Sequence, residues 1–153
     1  MTVEEISDGK PALCRSILEG LPDWFGIPEA IDRYVAEVAH LPMFGVRRDG
    51  QVAGLITIET INPHVAEIHL IAVRQPYHRS GFGRVLLGAC EDRCRAEGVE
   101  ILLVKTLAAS GNDPYYDATR RFYTAMGFRP LLESATFWDA ENPCLLMGKV
   151  VGR

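Results

Sequence analysis

The stretch from Glu67 to Arg84, EIHLIAVRQPYHRSGFGR, constrains the fold more than any other part of the chain. Ile68, Leu70, Ile71, Ala72 and Val73 form an apolar run behind Glu67 and His69, the composition of a strand. Pro76 turns the chain, and a basic, glycine-bearing loop follows. Gly81-Phe82-Gly83 then leads into a helical pattern. A strand, a glycine loop and a helix start in that order make an anion site. The first helical turn has free N–H groups, its dipole adds partial positive charge, and glycine lets a phosphate approach the backbone. Arg74, His78, Arg79 and Arg84 add side-chain donors. The stretch therefore predicts a phosphorylated ligand.

Around it the chain reads as alternating helices and strands. Residues 1–10 are polar and read as a loose tip. Helices are expected over Pro11–Glu19 and from Pro28 to about His40, the second with Ile31, Val35 and Val38 at helical spacing. Met43–Arg47 and Gln51–Thr60 read as strands flanking Asp49-Gly50, a strong hairpin signal. The key strand spans about 66–74 and its helix about 83–97, ended by Gly98. Glu100–Thr106 is an apolar strand. Asp113-Pro114 caps a helix that runs to Gly127, with Ala118, Phe122, Ala125 and Met126 on its core stripe. Phe128–Glu133 reads as a strand, 134–143 as a loop, and Cys144–Val151 as a final strand. The fold class is α/β: a mixed sheet with helices packed on it, the strand–helix–strand unit over 67–106 being a right-handed parallel crossover.

Composition narrows the function classes. With 153 residues, no repeats and no linker, one domain over 1–153 is expected. The net charge of −4 argues against a nucleic-acid partner and is compatible with a cationic amine. No apolar run approaches the roughly 20 residues of a membrane span, and no signal peptide is visible, so a cytoplasmic setting without a membrane partner is expected. Cys14, Cys90, Cys94 and Cys144 read as small buried apolar residues; Cys90 and Cys94 lack a second ligand pair, so no metal is expected.

The glycine loop fits neither common nucleotide motif. A dinucleotide fingerprint needs a third glycine where Leu86 stands, and a following strand ending in an acid rather than Lys105-Thr106. There is no Gly-Lys-Ser/Thr anywhere for a Walker loop. His78-Arg79-Ser80-Gly81-Phe82-Gly83 instead resembles the Gln/Arg-x-x-Gly-x-Gly/Ala motif of the GNAT superfamily of N-acetyltransferases, with His in place of Gln or Arg. Arg121-Phe122-Tyr123-Thr124-Ala125-Met126-Gly127-Phe128 resembles that family's aromatic, glycine-terminated late helix. The resemblance covers about residues 40–151 and implies the GNAT fold, a mixed, mostly antiparallel central sheet with helices on both faces.

The resemblance also implies acetyl-CoA as cosubstrate, with no metal. His78, Arg79, Ser80, Gly81, Phe82, Gly83 and Arg84 would hold its pyrophosphate. The pantetheine arm would pair with backbone at Ile71, Ala72 and Val73, where a bulge splays the strand from its neighbour, and the N–H near Ile71 would serve the oxyanion. Many members place an Asn seven residues before the helix tyrosine; Tyr116 stands there, and Asn112 is an alternative contact for the arm.

Acetyl transfer to an amine needs a base, an acid and alignment of both substrates. Glu67 lies eleven residues before His78, the spacing of the catalytic Glu in one branch of the family, and is the candidate base. His69 shares its side of the strand and is a candidate relay or substrate contact. Tyr123 is the candidate acid for the departing sulfur. Trp24, Phe25, Tyr115, Trp138 and Asn142 lie in or beside loops and are candidate pocket residues, each with a plain structural reading as well. Cys144 has no evident base partner and reads as packing. The expected function is N-acetylation of a primary amine, on a small molecule or a peptide, by direct attack in a ternary complex. The alternatives are a non-catalytic acyl-CoA-binding regulatory module and a transferase of other acyl groups. An exposed last strand leaves a homodimer open.

Overall fold

The computed structural model describes residues 1–152. The elements are β1 (Thr2–Ile6), α1 (Lys10–Glu19), α2 (Pro28–Val38), β2 (Met43–Arg48), β3 (Gln51–Asn62), β4 (Val65–Val73), α3 (Phe82–Ala96), β5 (Ile101–Leu107), α4 (Pro114–Ala125), β6 (Arg129–Asp139) and β7 (Asn142–Val150). The seven strands form one open sheet in the order β1-β2-β3-β4-β5-β7-β6. Every neighbouring pair is antiparallel except β4 and β5. This is the mixed, mostly antiparallel sheet that the family resemblance implies.

Local chemistry sets the element ends. Asp49 and Gly50 both take positive φ, 55° and 77°, the geometry a two-residue hairpin requires. The Asp113 carboxylate accepts from the Tyr115 N–H at 3.0 Å, and Pro114 fills the first helical position, so α4 starts where the sequence predicts. Two stretches depart from expectation. Residues 2–6 form an edge strand rather than a loose tip. Two adjacent glutamates hide its pattern, yet it pairs with β2, and Glu4 meets Arg47 at 2.5 Å. Residues 134–143, expected as a loop, mostly continue β6 and β7. Asp139 pairs with Asn142 across a tight turn, and a register shift between Ser134 and Asp139 breaks the alternation that would have shown a strand.

Two cores lie on opposite faces of the sheet. On one, α1 and α2 cover Met43, Leu55, Leu70 and Ala72. On the other, Phe82, Leu86, Leu87, Cys90 and Cys94 of α3 and Tyr123 of α4 cover Ile56, Ile68, Leu102 and Val104. Burying each such side chain stabilises the fold by about 1.5–3 kcal/mol.

A bulge in β4 links the two cores. Thr57 lies opposite Leu70 and Ile58 opposite Ile68, so His69 is one residue too many on its strand. Below it, Ala66 and Ile68 face α3. Above it, Leu70 and Ala72 face α1 and α2, while Ile71 and Val73 turn to α3. The partnership with β5 ends at the same level. Ile68 pairs with Val104, but Lys105, Thr106 and Leu107 pair only with β7. The sheet therefore splits between the upper halves of β4 and β5, with helices still covering both faces.

Candidate active site

The split opens a cleft of about 820 Å³ that runs between the two faces. Its left wall is backbone. Arg74 N–H bonds to Ala53 O at 2.8 Å, and Arg74 lies opposite Ala53 in the antiparallel register. Antiparallel pairs alternate between bonded and unbonded, so Ala72 and Leu70 bond to β3 while Ile71 and Val73 turn their N–H and C=O groups toward the gap. Val73 O takes part of this capacity internally: His78 Nε2 meets it at 2.6 Å.

Below that wall lies the loop. Arg79 and Gly81 adopt positive φ, 62° and 84°, which folds the chain into α3 with the first N–H groups of Phe82, Gly83 and Arg84 free of helical acceptors. A Cβ at Gly81 would meet nothing within 4 Å; one at Gly83 would lie 3.1 Å from the Phe122 ring. Gly81 is thus required by backbone conformation, and Gly83 by the close approach of α4. Phe82 is buried and stacks edge-on against Tyr77 at 5.2 Å, which fixes the loop to the core. Arg79, Gly81, Gly83 and Arg84 line the cleft, and the hydroxyl of Ser80 turns back to His78 O at 3.4 Å. Arg74 does not line it: its guanidinium holds Val52 O at 2.8 Å and Ser16 Oγ at 3.1 Å.

The opposite wall comes from β5 and α4. Tyr123 lines the cleft and is nearly buried, and burial, with smaller effects from Tyr34 and Tyr116, pushes its phenol well above the ordinary range. The phenol is therefore a proton donor throughout the neutral range. Phe122 and Met126, expected on the core stripe of α4, line the cleft beside it. Thr106 is 3% exposed, lines the cleft, and its hydroxyl has no hydrogen-bond partner. An orphaned buried hydroxyl is destabilising by about 1–3 kcal/mol, so it signals a group that arrives from outside the chain. Free helix N–H groups, outward strand amides and this hydroxyl together fit a ligand with an anionic end and an amide-bearing arm, which is the chemistry of coenzyme A.

On the α1–α2 face the side chains differ. The His69 ring is held at both nitrogens, Nδ1 to Thr57 Oγ1 at 2.9 Å and Nε2 to Glu37 Oε1 at 3.1 Å. A carboxylate only accepts, so Nε2 carries the proton and Nδ1 accepts from Thr57. Tyr34 stacks edge-on against His69 at 5.3 Å and against Phe25 at 5.9 Å. Glu67 is set back from the cleft, 3.4 Å from Lys105 Nζ, and Lys105 itself lines the wall. Trp24 stacks on both His78 and Tyr115 at 5.2 Å, and its carbonyl accepts from Tyr116 Oη at 2.7 Å. This strap ties the α1–α2 loop to the glycine loop and to the start of α4.

Of the residues singled out in the sequence, Trp24, Phe25, His69, Ile71, Ala72, Val73, His78, Arg79, Gly81, Phe82, Gly83, Arg84, Tyr115, Tyr116, Tyr123 and Trp138 share this cleft. Glu67, Ser80 and Asn112 do not line it. Asn112 takes a left-handed turn conformation before α4, and Asn142 bonds to Asp139 at the β6–β7 turn. Cys144 is buried on β7, and burial raises its thiol's pKa. Tyr34, Glu37, Lys105 and Thr106 were not singled out. Lys105 and Thr106 were legible only as a polar break ending an apolar strand, and Tyr34 as a helix residue three positions after Ile31.

The Acetyltransferase (GNAT) family model matches residues 13–128. The chain belongs to the GNAT acetyltransferase family. Solved structures agree on the fold. A GNAT-family protein from Desulfovibrio desulfuricans superposes with a TM-score of 0.81 at 22% identity over 98% of each chain. A GNAT acetyltransferase from Elizabethkingia anophelis, solved with acetyl-CoA bound, gives 0.74 at 17% identity over 97% of each chain. The aminoglycoside 6'-N-acetyltransferase from Enterococcus faecium gives 0.75 at 15% identity over 99% of this chain and 97% of its own. No curated protein matches the chain in sequence. Among the described residues, no helix is long and apolar enough to cross a membrane.

Proposed function

We propose that this GNAT protein is an acetyl-CoA-dependent N-acetyltransferase that acetylates a primary amine by direct attack in a ternary complex. The observation that carries this reading is that the cleft opened by the β4–β5 split is lined by Ile71 and Val73, with their outward amides, and by Tyr123. Arg79, Arg84 and the α3 N-terminus bind the pyrophosphate. Ile71, Ala72 and Val73 line the arm, with the Val73 N–H group and the Thr106 hydroxyl as its partners. Ser80, Asn112 and Tyr116 contribute through the loops that they shape.

The amine nitrogen attacks the thioester carbonyl carbon, and the carbonyl oxygen receives the Ile71 N–H as negative charge develops. The carbon–sulfur bond then breaks, and Tyr123 donates its proton to the departing sulfur. The proton lost by the amine passes to the Glu67 carboxylate through water, since Glu67 stands behind Lys105, or to the His69–Glu37 pair. The protein acts as one domain, and no partner beyond the two substrates is needed for the chemistry.

Acetyl-CoA consumption with a panel of amines tests this. Tyr123→Phe should lower kcat by about a hundredfold, within the range of one proton-transfer group. Glu67→Gln and His69→Gln decide the base. CoA binding by calorimetry with no turnover of any amine would instead make the chain a non-catalytic acyl-CoA-binding module.

A further inference from the structure

The acceptor side of the cleft selects among amines, and this step rests on the acetyl-transfer reading above. Five aromatic side chains from four separate segments line the cleft: Trp24 and Phe25 from the α1–α2 loop, Tyr34 from α2, Tyr115 from α4 and Trp138 from β6. Their rings meet edge-on, Phe25 on Tyr34 at 5.9 Å and Trp24 on Tyr115 at 5.2 Å, so they form walls rather than isolated contacts. Trp138, near the tip of the β6–β7 hairpin, lines the cleft while 42% exposed.

Charge points the same way. The chain as a whole carries −4, yet among the described residues no Asp or Glu lines the cleft, whereas Arg79, Arg84, Lys105 and Arg121 do. Glu67 and Glu37 stand behind the lining residues, Glu67 3.4 Å from Lys105 Nζ and Glu37 3.1 Å from His69 Nε2. Aromatic faces can hold one ammonium before it loses its proton. A second or third ammonium would find no carboxylate among the lining residues and would meet Lys105.

We infer that the acceptor is a primary amine bearing an aromatic or bulky apolar group and no further positive charge. Polyamines and aminoglycosides are poor acceptors for this chain, although an aminoglycoside acetyltransferase shares its fold.

The test uses the full chain saturated with CoA, titrated by calorimetry with 2-phenylethylamine and with spermidine, and the same two amines in turnover with acetyl-CoA. The expected result is 2-phenylethylamine binding at least about tenfold tighter than spermidine, the effect of burying one aromatic group. Phe25→Ala and Trp138→Ala should each remove most of that preference and leave the CoA dissociation constant unchanged, which also shows that the variants fold. Spermidine binding as tightly as 2-phenylethylamine, or neither amine binding, overturns the inference. Amines that bind in the expected order without being acetylated leave the acceptor class standing and sink the acetyl-transfer reading instead. Turnover that favours spermidine does the reverse.

Discussion

The two sides of the cleft are built on different terms. The cofactor side is almost all backbone: helix N–H groups after Gly81, strand amides at Ile71 and Val73, and one orphan hydroxyl at Thr106. The proposed acceptor side is almost all side chain, with Trp24, Phe25, Tyr34, Tyr115 and Trp138 brought together from segments more than a hundred residues apart. Backbone groups are the same in any sequence, so the first side can be held constant while the second changes by substitution. A fold shared with an aminoglycoside acetyltransferase at 15% identity therefore says little about the second side.

The largest expected effect lies where the two sides meet. Tyr123→Phe should lower kcat about a hundredfold while CoA and amine dissociation constants hold, because the phenol acts only once sulfur departs. A matching loss in binding would make Tyr123 a structural residue. Next, Gly81→Val forces a branched side chain into a φ of 84° at a position with open space around it. The strain, of about 1–2 kcal/mol, falls on the loop geometry, so CoA should bind roughly tenfold more weakly. Amine affinity should be spared if the two sides are independent.

Thr106→Val separates ligand binding from stability. It removes the orphan hydroxyl at constant shape, so the free protein should gain about 1 kcal/mol in urea unfolding while CoA affinity falls several-fold. A loss of stability would mean that the hydroxyl is satisfied within the chain. The smallest effect is on pH. Burial raises the phenol pKa of Tyr34, Tyr116 and Tyr123 above the reference value of 10.0. Groups raised on folding favour the folded state fully below the unfolded value, so stability should be flat to about pH 10 and decline above it, as the unfolded phenols ionise first. Urea midpoints at pH 8, 9.5 and 10.5 measure this, and Tyr123→Phe should soften the decline.

The same division explains what could be read in the sequence. The loop at Gly81 and Gly83, the hairpin at Asp49-Gly50 and the Asp113-Pro114 cap were legible because local conformation demands particular residue types there. The order of elements from Met43 onward followed from their periodicity. β1 and the 134–143 hairpin were not legible, since pairing with a neighbour, rather than their own pattern, makes them strands. The His69 bulge could be expected only through the family likeness, because register belongs to two strands at once. Lys105 in front of Glu67, and Glu37 behind His69, are contacts across 38 and 32 positions, for which a single sequence carries no signal.

The central claim is that the coenzyme arm completes the sheet at the split, pairing with β4 where β5 leaves it. Residue-resolved amide hydrogen exchange with and without acetyl-CoA measures this directly. The account predicts that Ile71 and Val73 slow by at least about tenfold on binding, whereas Leu70 and Ala72, already bonded to β3, barely change. Equal slowing of all four, or none at a concentration where calorimetry shows acetyl-CoA bound, would contradict it.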